Sequence, residues 1–133
     1  MKTNQDFTEK IVIKTDNAPA PIGPYNQAIL VGNTLYVSGQ IAINPKTNEL
    51  MITDIATETR QVMENISAIL KAAEMDFQHI VKSSIFLLDM NNFQNVNAIY
   101  GEFFGDDAPA RETVQVGRLP KDVNVEISVI AVK

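Results

Sequence analysis
The chain has 133 residues, 45% apolar and 20% charged, with a formal net charge of −5. That length suits one domain over 1–133, and the composition is that of a folded chain rather than a disordered or fibrous one. The acidic balance argues against nucleic acid as a partner, and the lack of cysteine removes disulfides, thiol nucleophiles, zinc–thiolate sites and iron–sulfur clusters together.

The opening stretch, Met1-Lys2-Thr3-Asn4-Gln5-Asp6-Phe7, is polar and lacks the apolar core of a signal peptide. Apolar runs such as 28–31 and 85–88 are far too short to cross a bilayer, so a cytoplasmic location without membrane contact is expected. The short, branched segment 10–14 reads as a strand. The loop Ala18-Pro19-Ala20-Pro21-Ile22-Gly23-Pro24-Tyr25 follows. It is either a stiff connector or a rigid frame that presents Tyr25 with little entropy left to lose. Segments 27–31 and 34–38 read as a hairpin across Gly32-Asn33. At the end of this hairpin, the glycine of Ser38-Gly39-Gln40 marks a bulge or a close backbone approach to a strand or ligand.

Residues 53–73 carry a helical period, with Ile55, Thr59, Val62, Ile66, Ile69, Leu70 and Ala73 on the inner stripe. Thr53 or Asp54 caps this helix, and Asp54, Glu58, Arg60, Glu64 and Lys71 are assigned to its wet face. His79, the single histidine, reads as a surface residue and cannot by itself build a multi-histidine metal site. In the strand 81–88, Ile85-Phe86-Leu87-Leu88 is apolar on both sides, which predicts association through an open sheet face. A second helix, 93–104, follows Asn91 or Asn92 as cap; Asn97 is the one amide on its apolar stripe and needs a loop carbonyl or a ligand. Pro109-Ala110-Arg111 leads into a strand at 113–116, where Arg111 is either a solvated edge cation or a two-point clamp for carboxylate or phosphate. After a turn at Leu119-Pro120-Lys121-Asp122, the strand 123–132 alternates, which places Glu126 opposite Val125, Ile127 and Val129. Glu126 then faces solvent or, at an interface, needs a partner or a task.

The order β-β-β-α-β-α-β-β defines an α+β chain with a single sheet of about six strands. Two helices cannot cover both of its faces, so both are expected on one. No phosphate-binding glycine loop, GxSxG elbow or acidic cluster at metal spacing occurs, so neither metal nor cofactor is expected.

The segments Ala18 to Tyr25, Val37-Ser-Gly-Gln-Ile41, Pro45-Lys-Thr-Asn-Glu-Leu50, Asn65-Ile66 with Ile69-Leu70, and Phe86-Leu-Leu-Asp-Met90 stand in a fixed order. Asn97 with Tyr100, Pro109-Ala-Arg111, and Leu119-Pro-Lys with Val125-Glu-Ile127 continue that order. The ordered set, from about Lys14 to Val132, resembles the RidA family, also called YjgF/YER057c/UK114. The resemblance implies a chorismate-mutase-like fold assembled as a homotrimer with three sites between subunits. It also implies hydrolysis of 2-iminopropanoate and 2-iminobutanoate to 2-oxo acids and ammonia. By the same resemblance Arg111 holds the substrate carboxylate and Glu126 stands by the attacking water. Tyr25, Ser38, Gly39 and Asn97 line the pocket, and Thr113 takes a place where many relatives carry cysteine.

The chain departs from that pattern at four places. Asn48 and Glu74 stand where glycines are usual, Ala108 where an aromatic is often found, and Glu112 where a small residue is common. Strand alternation points Glu112 away from Arg111. Two other functions stay in view: a non-catalytic trimer that binds 2-oxo acids or similar metabolites, and an endoribonuclease, which the acidic chain and single histidine disfavour.

Overall fold
A computed structural model of the chain describes residues 9–133. The polar stretch Met1 to Phe7, on which the signal-peptide expectation rests, lies outside the described residues. The regular elements are β1 (Ile11–Ile13), β2 (Ala28–Val31), β3 (Thr34–Gln40), α1 (Ile55–Ala72), β4 (Ile80–Leu87), α2 (Phe93–Gly101), β5 (Ala110–Gln115) and β6 (Val125–Val132). The strands form one mixed six-stranded sheet in the order β1-β2-β3-β6-β4-β5, in which β4 and β5 run parallel and every other pair antiparallel.

Alternation decides which face is dry. Leu35 and Val37 of β3, Ile85 and Leu87 of β4, and Ile127 and Val129 of β6 share the face that carries both helices. They pack there with the inner stripes of α1 and α2, including Val62, Ile66, Ile69 and Val96. Each such aliphatic side chain contributes roughly 1.5–3 kcal/mol when fully buried. The result is the α+β sheet with both helices on one side that the element order calls for. Between β2 and β3, Gly32 takes a φ of 59° at the first turn position, the left-handed value that a two-residue hairpin loop requires there. No helix among the described residues is long and apolar enough to cross a membrane.

Of the two caps expected for α1, Asp54 is the one used, accepting a bond from the Thr57 N–H at 2.8 Å. Other expectations are corrected. Glu58 is not on the wet face; it is completely buried beneath the helix. Its position gives the reason: it lies three residues after Ile55 and four before Val62, on the inner stripe itself. The second helix is shorter than 93–104, and Asn92 at its start makes no capping bond. Instead Asp89 accepts from the Asn91 N–H at 2.9 Å and opens a 3-10 turn, Met90–Asn92, that runs into α2. Pairing with β4 extends β5 back to Ala110, while β6 begins only at Val125, because a turn with left-handed Lys121 and Asp122 occupies Pro120–Asp122.

The open face is also less bare than the run 85–88 suggests. Phe86, which shares that face with Glu126, packs against a small cluster of Ile41, Ile43, Leu119 and Val123, and Leu88 lies beyond the strand. Tyr36 and Val114 remain on this face, 50% and 42% exposed.

Candidate functional site
The end of β3 is bulged. Val37 pairs with Val129 but Gln40 pairs with Ile127, so Ser38 and Gly39 together oppose Ser128. Bulges re-aim side chains, and of the alternatives for Ser38-Gly39-Gln40 the structure shows the bulge. Ser38 Oγ donates to the Asn26 carbonyl at 2.6 Å, and the buried Gln40 donates to the Ser38 carbonyl at 3.1 Å. Gly39 lies directly under the Glu126 carboxyl group. A Cβ at position 39 would stand 2.8 Å from the carboxyl carbon, so the absent side chain is what admits the carboxylate.

Glu126, Ser38 and Gly39 form the floor of a cleft of about 310 Å³, with Pro21, Ile22 and Tyr25 on one wall and Pro120 on another. Burial in these surroundings raises the Glu126 pKa above the ordinary glutamate range. The Tyr25 hydroxyl accepts a bond from the Ile22 N–H at 3.2 Å, which leaves its own proton free to donate elsewhere. The loop bearing Tyr25 is anchored by buried Gln27. Its NH₂ shares two hydrogens among the carbonyls of Thr15, Ala18 and Pro19 at 3.0, 3.2 and 2.9 Å, and its oxygen accepts from the Thr15 N–H at 2.8 Å. Nothing in the sequence marks Gln27 for this role, because its partners are backbone groups.

Arg111 belongs to a different place. It pairs with Ser83, and Thr113 pairs with Ile85, and both of those β4 residues are completely buried on the helix-bearing face. Arg111 and Thr113 therefore face the helices. The guanidinium carbon lies 5.0 Å from the Tyr100 ring centroid and 5.6 Å from that of Phe93. Each such contact is worth about 0.5–1 kcal/mol and restrains the guanidinium against α2. The Tyr100 hydroxyl donates to Ser83 Oγ at 2.9 Å, and burial raises its pKa. Asn97 is half-buried, one turn after Phe93 and one before Tyr100, on the stripe that flanks Arg111. The Thr113 hydroxyl is buried without a hydrogen-bond partner.

Glu112 points away from Arg111, as alternation requires. It pairs on the open face with Lys82 at 2.9 Å and with the Ser84 hydroxyl, and those bonds lower its pKa. His79 is half-buried, and its Nδ1 accepts the Asp76 N–H at 3.0 Å. Among the described residues no group of three or more His, Asp or Glu could hold a metal ion.

The residues singled out in the sequence thus fall into two half-sites. Tyr25, Ser38, Gly39 and Glu126 meet in the open-face cleft. Arg111 and Thr113 lie across the sheet, with Asn97 on the neighbouring helix. One protomer does not bring Arg111 to Glu126.

This six-stranded sheet with two helices on one face is that of a known class. The family model described as Endoribonuclease L-PSP matches residues 15–133, and the chain belongs to this family, the RidA/YjgF family its ordered motifs resemble. It is 54% identical over 124 residues to a RutC family protein of Pyrococcus horikoshii, spanning 93% of this chain and 98% of that one. It is 44% identical to human 2-iminobutanoate/2-iminopropanoate deaminase, over 92% of this chain and 89% of that one. Among solved structures, the YjgF gene product of E. coli superposes with a TM-score of 0.87 at 48% identity, covering 92% of this chain and 98% of that one.

Proposed function
We propose that the protein hydrolyses reactive 2-imino acids, 2-iminobutanoate and 2-iminopropanoate among them, to 2-oxo acids and ammonia. The observation that carries this reading is the Glu126 carboxylate, which burial keeps avid for a proton in a cleft that also holds a phenol. An imine carbon is already electrophilic, so the protein has to orient the substrate, place one water and move protons. Water adds to the carbon as Glu126 takes its proton. As the C=N electron pair moves to nitrogen, Glu126 or Tyr25 supplies a proton there and a carbinolamine forms. The same groups then take the hydroxyl proton and deliver one to the amine, so that the C=O bond forms as the C–N bond breaks and the 2-oxo acid and ammonia leave. Arg111 holds the carboxylate with its two-point fork, and Ser38, Gly39, Asn97 and Thr113 complete the pocket. The likeness to the human deaminase supports the same chemistry.

Because Arg111 and Glu126 lie on opposite faces of one sheet, a working site in this reading combines the cleft of one copy with Arg111 of another. The assembly that the family resemblance implies, a homotrimer with three such sites, would meet this need, acting without a cofactor, in the cytoplasm and without nucleic acid. Semicarbazone suppression with several amino-acid-derived imines tests the activity. Mixing tests the shared site: Arg111→Ala and Glu126→Gln, each inactive alone, should regain about a quarter of wild-type activity after co-refolding with random assortment. No recovery would place the whole site within one copy. Binding of 2-oxo acids without turnover would favour a metabolite-binding trimer. Cleavage of RNA by the wild type but not by Arg111→Ala would favour the nuclease that the family description names.

A further inference from the structure
Glu58 is a completely buried carboxylate that none of the proposed chemistry uses. No ion pair reaches it among the described residues; instead it accepts three hydrogen bonds from one short stretch of chain. Its Oε2 takes the N–H groups of Asn124 and Val125 at 2.7 and 3.0 Å, and its Oε1 takes the Asn124 side-chain amide at 2.8 Å. From the other side the Leu88 N–H donates to the Asn124 carbonyl at 3.0 Å, so Asn124 is held between α1 and the end of β4. Burying a carboxylate among neutral donors is costly, and an apolar side chain would fill the same space more cheaply. What Glu58 supplies, and an apolar side chain cannot, is an oxygen that accepts two adjacent backbone N–H groups at a defined position.

That position matters for the cleft. Asn124 immediately precedes β6, and Glu126 is the second residue of the strand. On its other side lies the turn that places Pro120 in the cleft wall, in which Lys121 and Asp122 both hold left-handed φ values, 55° and 57°. Two consecutive non-glycine residues in that region store strain that a loosened end would release. We infer that Glu58 is a positioning residue for Glu126: by pinning Asn124 and Val125 it sets the carboxylate against Gly39 and keeps Pro120 at the cleft. Its kinetic consequence rests on the imine-hydrolase reading above, but its structural consequence does not.

The test compares Glu58→Met, which removes every acceptor, with Glu58→Gln. In Glu58→Gln the amide oxygen still takes the two backbone N–H groups and a flipped Asn124 amide meets the new NH₂. Carbon-13 NMR follows the Glu126 carboxyl titration in each. In Glu58→Met the Glu126 pKa should fall back toward the ordinary glutamate value, and the turnover number should drop by up to roughly 10²-fold with KM little changed. Glu58→Gln should keep both close to wild type. A folded Glu58→Met with unchanged Glu126 titration and turnover would overturn the assignment. Should that variant fail to fold, Glu58→Asp, whose shorter side chain draws the accepting oxygen away from both backbone N–H groups, decides: a lowered Glu126 pKa supports the assignment and an unaltered one overturns it. If the wild type hydrolyses no imine, the functional reading fails and the titration alone judges Glu58.

Discussion
The Glu126 cleft and the Arg111 shelf are made by the same device, a charged residue on an alternating strand, and they treat the charge in opposite ways. In the cleft, a bulge and a missing Cβ admit a carboxylate to partly dehydrated surroundings, and its hold on a proton tightens. On the shelf, two aromatic faces carry the guanidinium, restraining it without neutralising it. In the proposed reading the first surface exchanges a proton and the second holds an anion. Placing them on opposite faces makes the two tasks separable by substitution, in a way that a single pocket does not permit.

The largest effect should come from the proton-handling side. Glu126→Gln keeps shape and hydrogen bonding but cannot accept a proton, and its turnover should fall roughly 10²–10⁴-fold. Calorimetric titration with 2-oxobutanoate should show near wild-type affinity. The wild-type kcat/KM should show an acid limb centred above the ordinary glutamate value of about 4.3, since Glu126 works ionised and burial raises its pKa. The residual rate of the variant should lack that limb. A raised folded-state pKa also means that this carboxyl's contribution to stability is complete below its unfolded pKa and lost as pH rises through the folded one. Glu126→Gln should therefore melt higher than wild type at neutral pH, with the margin vanishing in acid. A variant that hydrolyses imines at the wild-type rate would make Glu126 an interface residue only.

Next comes the anion-holding side. Arg111→Ala should abolish 2-oxobutanoate binding and cost about 2–5 kcal/mol in kcat/KM. Arg111→Lys keeps the charge but loses the fork and should recover only part. Full recovery by lysine would break the contrast, because a point charge would then do what the fork is proposed to do. Gly39→Ala should fall between wild type and Glu126→Gln. The new methyl group displaces the carboxylate, lowering turnover by up to about 10²-fold while product affinity survives. Lost affinity with intact turnover would instead assign Gly39 to substrate binding through its backbone.

How much of this was legible in the sequence depended on the range of the interaction. Strand alternation placed Glu126 opposite Val125 and Ile127, and Glu112 opposite Arg111, because period 2 needs no tertiary knowledge. The helix stripe of α1 was legible for the same reason. Glu58 lies on that stripe and was misassigned only because a carboxylate there needs donors sixty-six residues away, at Asn124. Gln27 was likewise hidden, since its partners are backbone groups, and so was the Tyr100–Ser83 bond, which joins α2 to β4. Contact of Arg111 with Phe93 and Tyr100 joins β5 to α2, and no spacing within either segment announces it.

The smallest effect should come from a residue in neither half-site, which makes it a control for both. α1 closes in a Schellman motif: the Met75 N–H bonds the Leu70 carbonyl, the Glu74 N–H bonds the Lys71 carbonyl, both at 2.9 Å, and Leu70 and Met75 are buried together. The motif demands a left-handed residue where Glu74 stands, and its φ is 59°. Asn48 holds a similar φ of 62° in the turn after Ile43, but asparagine tolerates that region far better than glutamate does. Glu74→Gly should therefore stabilise the fold by about 1 kcal/mol, the relief of left-handed strain less the added freedom of the unfolded chain. The bond from Lys133 Nζ to the Glu74 carbonyl, at 2.6 Å, uses the backbone and survives the change. Asn48→Gly should gain less, and both variants should leave turnover and 2-oxobutanoate affinity at wild-type values. Thermal melts of the two, run beside each other, check the ranking. Equal gains would show that the left-handed cost does not depend on the side chain here, and altered turnover in Glu74→Gly would show that the far end of α1 communicates with the cleft.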